Sequence, residues 1–161
     1  SCSSPNQAER KRQRSCCRAA SVITYVDTST LIKLIIDEEG SDRAELIWQS
    51  ADSGASVSLV VVEARAALAA AVRGDRLSSE QLHDARTELA AFVDDLHLVD
   101  VTENLIESAA RLAESESLRG YDAVHLASAL LVNAAVLTSA DRDLCEAAER
   151  QGHHIANPLP R

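Results

Sequence analysis

Four acidic residues occupy comparable positions relative to the strands and helices that this sequence predicts. Asp27 ends a β-branched and aromatic run, and Glu63 lies in the first turn of an Ala-rich helical stretch. Asp122 begins a nearly all-apolar helical stretch, and Asp141 comes three residues after another short apolar run. Because ligands of open α/β sheets bind at the carboxyl ends of the strands, we expect these four carboxylates to meet at one edge of a sheet.

Such a cluster has a definite chemistry. Carboxylates held close together repel one another and partly protonate, and a divalent cation removes that cost. Ligand sets made only of oxygen favour hard metals such as Mg²⁺ or Mn²⁺. A metal of this kind lowers the pKa of a bound water and stabilises charge on a phosphodiester. The four acids therefore predict a hydrolase of phosphodiester bonds with Mg²⁺ (or Mn²⁺) as its cofactor.

Each acid taken alone has a simpler interpretation. Asp27, Asp122 and Asp141 could cap the helices that follow them, as Asp often does, and Asp143 stands close enough to substitute for Asp141. Glu63 could be a surface residue favoured by the helix dipole. However, Asp122 opens a helix that is apolar on nearly every side, where a charge needs a partner. The prediction therefore depends on the joint pattern.

The elements that must position these acids alternate between strands and helices. Short apolar runs predict strands over 22–26, 55–59, 97–101 and 135–138, with a short fifth strand over 154–156. Helical periodicity and boundary residues predict helices over 28–36, 42–51, 60–73, 121–133 and 141–151, and two that begin at Ser78 and Thr102. Alternation of this kind indicates an α/β domain over residues 22–158, in which helices cover both faces of a central parallel sheet of four to five strands.

The composition limits the functions to be considered. A length of 161 residues is about one domain, and no apolar run approaches the roughly 20 residues that span a bilayer. A net charge of −9 and an aromatic content of 2% argue against a simple nucleic-acid-binding module, which normally has a basic face. They do not argue against a nuclease, because a carboxylate cluster becomes locally electropositive once it holds a divalent metal.

Residues 1–21 differ from the rest of the chain. They contain five basic residues and one acidic residue, a net charge of +4, so the remaining 140 residues carry −13. Low hydrophobicity and high charge predict a disordered basic extension rather than a functional basic arm. The segment lacks the apolar core of a secretory signal. The four cysteines form no Cys-x-x-Cys pair, and we expect no disulfide framework and a cytoplasmic location.

Five segments, in order along the chain, carry a resemblance to a known family. They are Tyr25–Ser29, Ser58–Glu63, Tyr121–Ala129, Leu137–Leu144 and Ile155–Pro158. They resemble the motifs of the PIN domain, and the small size is similar to that of the VapC-type toxins of bacterial toxin–antitoxin pairs. The resemblance covers residues 22–158 and implies a three-layer α/β/α fold with strand order 3-2-1-4-5.

The resemblance also implies function and partners. It implies an endoribonuclease in which a metal-activated water cleaves RNA, with Asp27, Glu63, Asp122 and Asp141 as both the metal ligands and the catalytic residues. It implies a homodimer. It further implies inhibition by a VapB-type antitoxin whose C-terminal segment lies along a groove into the acidic site. The −13 charge of the body fits a partner segment rich in Arg or Lys.

Neighbouring side chains are expected to support the acids. Ser29 and Ser139 fall where the family often places hydroxyls that line the site, Thr28 is a neighbour, and Asp143 is a further acid beside them. By contrast, no spacing of cysteines or histidines in the chain indicates a zinc site. The supporting set is therefore made of oxygen donors, as a hard metal requires.

Three basic or titratable residues near the acids allow two interpretations each. Arg119 and Arg142 flank two of the acids and could contact RNA phosphates, or they could be ordinary solvent-facing charges. His125 follows Asp122 by three residues and so shares its helix face. It could bind the metal, but we prefer a structural or orienting role because oxygen donors suit this metal better.

Other functions fit the sequence less well. A HAD-type phosphatase requires a second Asp two residues after the first, where this chain has Ser29. A receiver domain requires a Lys near its last strand, yet Lys11 and Lys33 both come early, and the Gly-Lys-Ser/Thr of a P-loop is absent. The remaining alternative is a PIN-fold binding or scaffold module with weak or no nuclease activity. The presence of all four acids disfavours it.

Overall fold

Five parallel strands form the central sheet of the molecule. The structure, a computed structural model, describes residues 21–159. In chain order the strands are β1 (Ile23–Val26), β2 (Ser53–Val57), β3 (Leu96–Val99), β4 (Val136–Thr138) and β5 (His154–Ile155). Their order in the sheet is β3-β2-β1-β4-β5, and every neighbouring pair is parallel. This confirms the predicted fold class and strand order.

Within residues 21–159, seven helices cover the two faces of the sheet. They are α1 (Thr28–Ile35), α2 (Ser41–Ser50), α3 (Val60–Arg73), α4 (Ser79–Asp94), α5 (Glu103–Glu116), α6 (Gly120–Leu131) and α7 (Arg142–Arg150). Apolar residues of α5, α6 and α7 pack with Tyr25, Val57 and Leu137 on one face. Apolar residues of α1, α3 and α4 pack with Val26 and Leu96 on the other. The result is a three-layer α/β/α domain with one apolar core on each side of the sheet.

Most predicted boundaries agree with the structure, and β2 is the main difference. The sequence predicted a strand over 55–59, but β2 begins at Ser53 and ends at Val57. Ser58 makes one more link to β3, donating its backbone N–H to the carbonyl oxygen of Val99 at 2.9 Å. Leu59 already has helical dihedral angles, with φ −62° and ψ −22°, and leads into α3. The turn therefore comes earlier than local composition suggests, and it brings Glu63 close to the end of β1.

The site residues follow from the position of β1 in the middle of the sheet. β1 pairs with β2 on one side and with β4 on the other, so the strand order reverses at β1. Such a reversal leaves a crevice at the carboxyl ends of the strands. Asp27 follows β1 directly, and Ser139 follows β4.

Two predictions concern the N-terminal extension and the absence of a membrane span. Of the predicted extension over residues 1–21, only Ser21 lies within the described residues, and the rest lies outside them. Between residues 21 and 159, none of the helices has the length and apolar character needed to cross a membrane.

Candidate active site

Asp27 lies at the centre of the site, held between two hydroxyl groups. Its side chain is 8% exposed. Asp27 Oδ2 accepts hydrogen bonds from Ser29 Oγ at 2.6 Å, from Ser139 Oγ at 2.7 Å and from the backbone N–H of Ser29 at 3.3 Å. The last of these makes Asp27 the N-cap of α1. The capping role of Asp27 is therefore compatible with a functional one, because the cap uses Oδ2 and Oδ1 faces the rest of the site.

The same two hydroxyls attach the loop after β4 to Asp27. Ser139 Oγ accepts the backbone N–H of Asp141 at 2.9 Å, and Ser29 Oγ accepts that of Ala140 at 2.9 Å. Asp141 in turn caps α7, because its Oδ1 accepts the N–H of Leu144 at 2.9 Å. Ser29 and Ser139 thus fix the positions of two acids at once.

Glu63 reaches the site from the first turn of α3. Its Oε2 accepts hydrogen bonds from Thr28 Oγ1 at 2.9 Å and from His125 Nε2 at 2.8 Å. His125 Nε2 is also 3.4 Å from Asp27 Oδ1. Burial lowers the pKa of His125, but the hydrogen bond to Glu63 and the charges of Asp27, Glu63 and Asp122 outweigh burial and raise that pKa above its ordinary value. The imidazole therefore lies between two of the predicted ligands.

Asp122 lies in the first turn of α6 and is partly buried. Its pKa is raised first by this burial and then by the negative charges of Asp141 and Asp27, against smaller opposing effects of Arg119 and His125. Asp27 and Asp141 are thus within electrostatic range of Asp122, and Glu63 is joined to Asp27 through His125. The mutual repulsion that the sequence predicts for a metal-free acidic cluster appears at Asp122.

The remaining predicted residues lie at the periphery. Arg142 is exposed, and its Nε donates to Glu146 Oε1 at 2.7 Å, one helical turn along α7. Asp143 is exposed in the first turn of the same helix. Arg119 is exposed too, yet it acts on the pKa of Asp122. Of the two arginines, Arg119 is therefore the one that acts on an acid of the site.

A hard divalent metal fits this donor set. Within residues 21–159, no three His, Cys, Asp or Glu side chains are placed to hold an ion in the present arrangement, in which His125 lies between Asp27 and Glu63. The donors nevertheless match Mg²⁺ or Mn²⁺, because they are carboxylate and hydroxyl oxygens. A cation would also relieve the repulsion that raises the pKa of Asp122. Asp27, Glu63, Asp122 and Asp141 are the residues that would hold it.

Comparison with known proteins decides the family. The sequence profile of the PIN domain matches residues 24–150, a range that includes all four acids. The chain belongs to the PIN domain family. It is 39% identical over 136 residues to Ribonuclease VapC45 of Mycobacterium tuberculosis, a match that covers 83% of this chain and 94% of that relative.

Solved structures agree with this assignment at the level of the fold. PAE2754 from Pyrobaculum aerophilum is 22% identical, with a TM-score of 0.63 and coverage of 84% of each chain. A chain of a toxin–antitoxin complex from Klebsiella pneumoniae is 16% identical, with a TM-score of 0.63 and coverage of 86% of this chain and 99% of that one. At these identities the likeness shows a shared PIN fold and nothing about residue roles.

One residue of this PIN domain that the sequence reasoning missed is Tyr25. It was assigned only to the first strand, yet its hydroxyl lies 2.9 Å from His125 Nδ1 and accepts the backbone N–H of Val57 at 3.1 Å. Burial raises the pKa of this phenol, and the charge of Asp27 adds to the effect, so it stays protonated. The sequence contains a signal for this contact, because a Tyr inside a fully buried strand needs a hydrogen-bond partner for its hydroxyl.

Proposed function

We propose that this PIN domain is a metal-dependent endoribonuclease that uses Mg²⁺ or Mn²⁺. The observation that carries the proposal is that Asp27 and Asp141 lie within electrostatic range of Asp122 at the reversal point of the sheet, and that His125 joins Glu63 to Asp27. Ser29 and Ser139 fix Asp27 and Asp141 in place. The similarity to Ribonuclease VapC45 supports RNA as the substrate.

The chain's own residues have separable roles in this proposal. The four acids would hold the metal, which would activate a water and balance charge on the phosphodiester. Ser29 and Ser139 keep Asp27 in place, and Arg119 would contact a phosphate of the RNA. Attack by water in line with the departing 3′-oxygen leaves a 5′-phosphate and a 3′-hydroxyl. No histidine is required as general acid or base in this scheme.

We propose in addition that the protein is the toxin of a VapBC-type toxin–antitoxin pair. The VapC45 relative and the Klebsiella pneumoniae toxin–antitoxin complex support this assignment. Its partner would be a VapB-type antitoxin with a basic C-terminal segment, because the body of the chain carries −13. The toxin would act in the cytoplasm, where its RNA substrate lies.

A homodimer is the expected state of the free protein. Seven large apolar side chains are exposed between residues 21 and 159, and those of Val62, Ile106 and Tyr121 are among them. Ile106 and Tyr121 line an apolar cavity of about 440 Å³, which gives a second copy a surface to cover. Sedimentation velocity should therefore show a dimer that Ile106→Glu converts to a monomer. A monomeric wild-type chain would contradict this expectation.

The nuclease proposal is tested by cleavage of labelled RNA with purified protein. Mg²⁺ should support cleavage and EDTA should stop it. Asp27→Asn should abolish cleavage with an unchanged circular dichroism spectrum, whereas Asp84→Asn, the same chemical change at an exposed position of α4, should cleave like the wild type. No metal-dependent cleavage of any RNA would favour the scaffold alternative. Sequencing the RNA ends made in expressing cells would then identify the target.

A further inference from the structure

His125 is a buried polar residue beside the acids, and both of its ring nitrogens are engaged. The residue is 1% exposed. Its Nε2 lies 2.8 Å from Glu63 Oε2, and its Nδ1 lies 2.9 Å from the Tyr25 hydroxyl. The ring meets Tyr25 edge to face, with centroids 5.8 Å apart. A ring this deeply buried does not reach a bound RNA strand, so any role it has must act through another residue.

The hydrogen-bond roles around the ring are constrained. The Glu63 carboxylate can only accept, so Nε2 carries the proton between them. The Tyr25 hydroxyl accepts the backbone N–H of Val57 and can donate to Nδ1 of a neutral ring or accept from a charged one. Turning the ring over would place carbon atoms against both partners. A continuous series of hydrogen bonds, from the backbone N–H of Val57 through Tyr25 to His125 and Glu63, therefore holds the imidazole in one orientation.

Glu63 needs such a restraint more than Asp27 and Asp141 do. Its side chain is 24% exposed and comes from the first turn of a helix. A Glu side chain has considerable rotamer freedom to lose when it is held in one place. Asp27 and Asp141 are short and are fixed by serines and caps. Among residues 21–159, the side chain of Glu63 accepts hydrogen bonds from Thr28 and His125 alone.

We propose that His125 is a positioning residue that orients the Glu63 carboxylate toward the metal, with the Tyr25 hydroxyl holding the imidazole in place. The inference rests on the proposed function, because Glu63 matters only if the acids hold a metal. Groups that orient metal ligands typically contribute about 10- to 100-fold to metal affinity or activity. His125 acts through its N–H toward Glu63, so a side chain that restores an N–H at that place should restore the effect.

Four variants test this role. His125→Leu removes both nitrogens at similar volume, and His125→Gln offers an amide N–H near the position of Nε2. Tyr25→Phe removes only the hydroxyl that fixes the ring. Val124→Ala, next along α6 and also buried, controls for lost stability without touching Glu63. Mn²⁺ affinity is measured by the electron paramagnetic resonance signal of free Mn²⁺, at a temperature where circular dichroism shows each variant folded, and RNA cleavage is measured in parallel.

We expect His125→Leu to weaken Mn²⁺ binding about 10- to 100-fold, as for other groups that orient metal ligands. His125→Gln should recover most of that loss, Tyr25→Phe should lie between them, and Val124→Ala should bind Mn²⁺ like the wild type. Wild-type affinity in His125→Leu, or equal losses in the Leu and Gln variants, would overturn the positioning role. If His125→Leu does not fold, wild-type affinity in Tyr25→Phe overturns it instead.

The same experiment separates this inference from the proposed function. A wild-type protein that binds Mn²⁺ and cleaves RNA, with His125 variants that do both equally well, removes only the role of His125. A wild-type protein that neither binds Mn²⁺ nor cleaves RNA removes both.

Discussion

Replacing Asp122 by Asn should stabilise the metal-free protein while removing its response to Mg²⁺. Burial and the charges of Asp141 and Asp27 raise the pKa of Asp122, so its ionised form is unfavourable in the folded state. An amide of the same shape carries no charge and relieves that repulsion. The same change removes one of the four proposed metal ligands. The melting temperature should therefore rise in EDTA, while its increase on adding Mg²⁺ should be lost, and one experiment measures both effects.

The magnitudes follow from exposure and mass action. Asp122 is only partly buried, so solvent screening limits the relief of repulsion to about 0.5–1 kcal/mol. For a domain of this size, that stabilisation corresponds to a melting temperature about 1–4 °C higher in EDTA. For the wild type, Mg²⁺ at about ten times its dissociation constant stabilises the folded state by about 1.4 kcal/mol. That is a rise of about 3–6 °C, which Asp122→Asn should largely lose.

The assay is thermal unfolding followed by circular dichroism, in EDTA and in Mg²⁺. Asp84→Asn is the matched control, because it removes the same charge from an exposed position of α4. It should leave both melting temperatures within about 1 °C of the wild type, as for an ordinary surface substitution. The reasoning is refuted if Asp122→Asn melts below the wild type in EDTA, or if it keeps the full Mg²⁺ response.

Three further predictions concern other parts of the molecule. Ser139→Ala removes a hydroxyl that donates to Asp27 and accepts from the Asp141 backbone. Mn²⁺ affinity and cleavage should therefore both fall by about 10-fold or more, and an unaffected variant would show that the serine does not hold the acids. Burial raises the pKa of the Cys145 thiol to about 11. Iodoacetamide at pH 8 should therefore leave this thiol unmodified in the native protein and label it in urea, as measured by peptide mass spectrometry. Labelling at the same rate in both states would contradict its burial. Expression of the chain alone should arrest growth and co-expression of its antitoxin should relieve the arrest; harmless expression in its own host would argue against the toxin role but not against the nuclease.

The fold was predictable where local chemistry determines it. The starts predicted at Ser78 and Thr102 depend on short-range contacts, because each of these side chains caps the helix that follows it. The end of β2 was misplaced because apolar residues continue from Leu59 to Val62, while Ser58 still pairs with Val99 across the sheet and Leu59 already has helical dihedral angles. Local sequence carries no information on that pairing.

The site divides in the same way. Asp27 and Asp141 could be located because helix caps after strands are local features. The contact between Tyr25 and His125 joins residues 100 positions apart and depends on how α6 packs against the sheet. Arg142 was left between two interpretations, although Glu146 four residues later was readable as a helical ion-pair partner. Side-chain packing, rather than residue type, decides these cases.

The central claim is that water, activated at the acidic cluster, cleaves RNA. The most direct test is to map the ends of the cleaved RNA by ligation. Attack by water predicts a 5′-phosphate and a 3′-hydroxyl, with cleavage that survives 2′-deoxy substitution at the cut site. Attack by the RNA's own 2′-hydroxyl, assisted by a histidine as general base, leaves a 2′,3′-cyclic phosphate instead. Cyclic phosphate ends would contradict the proposed mechanism even though the fold is that of a PIN domain.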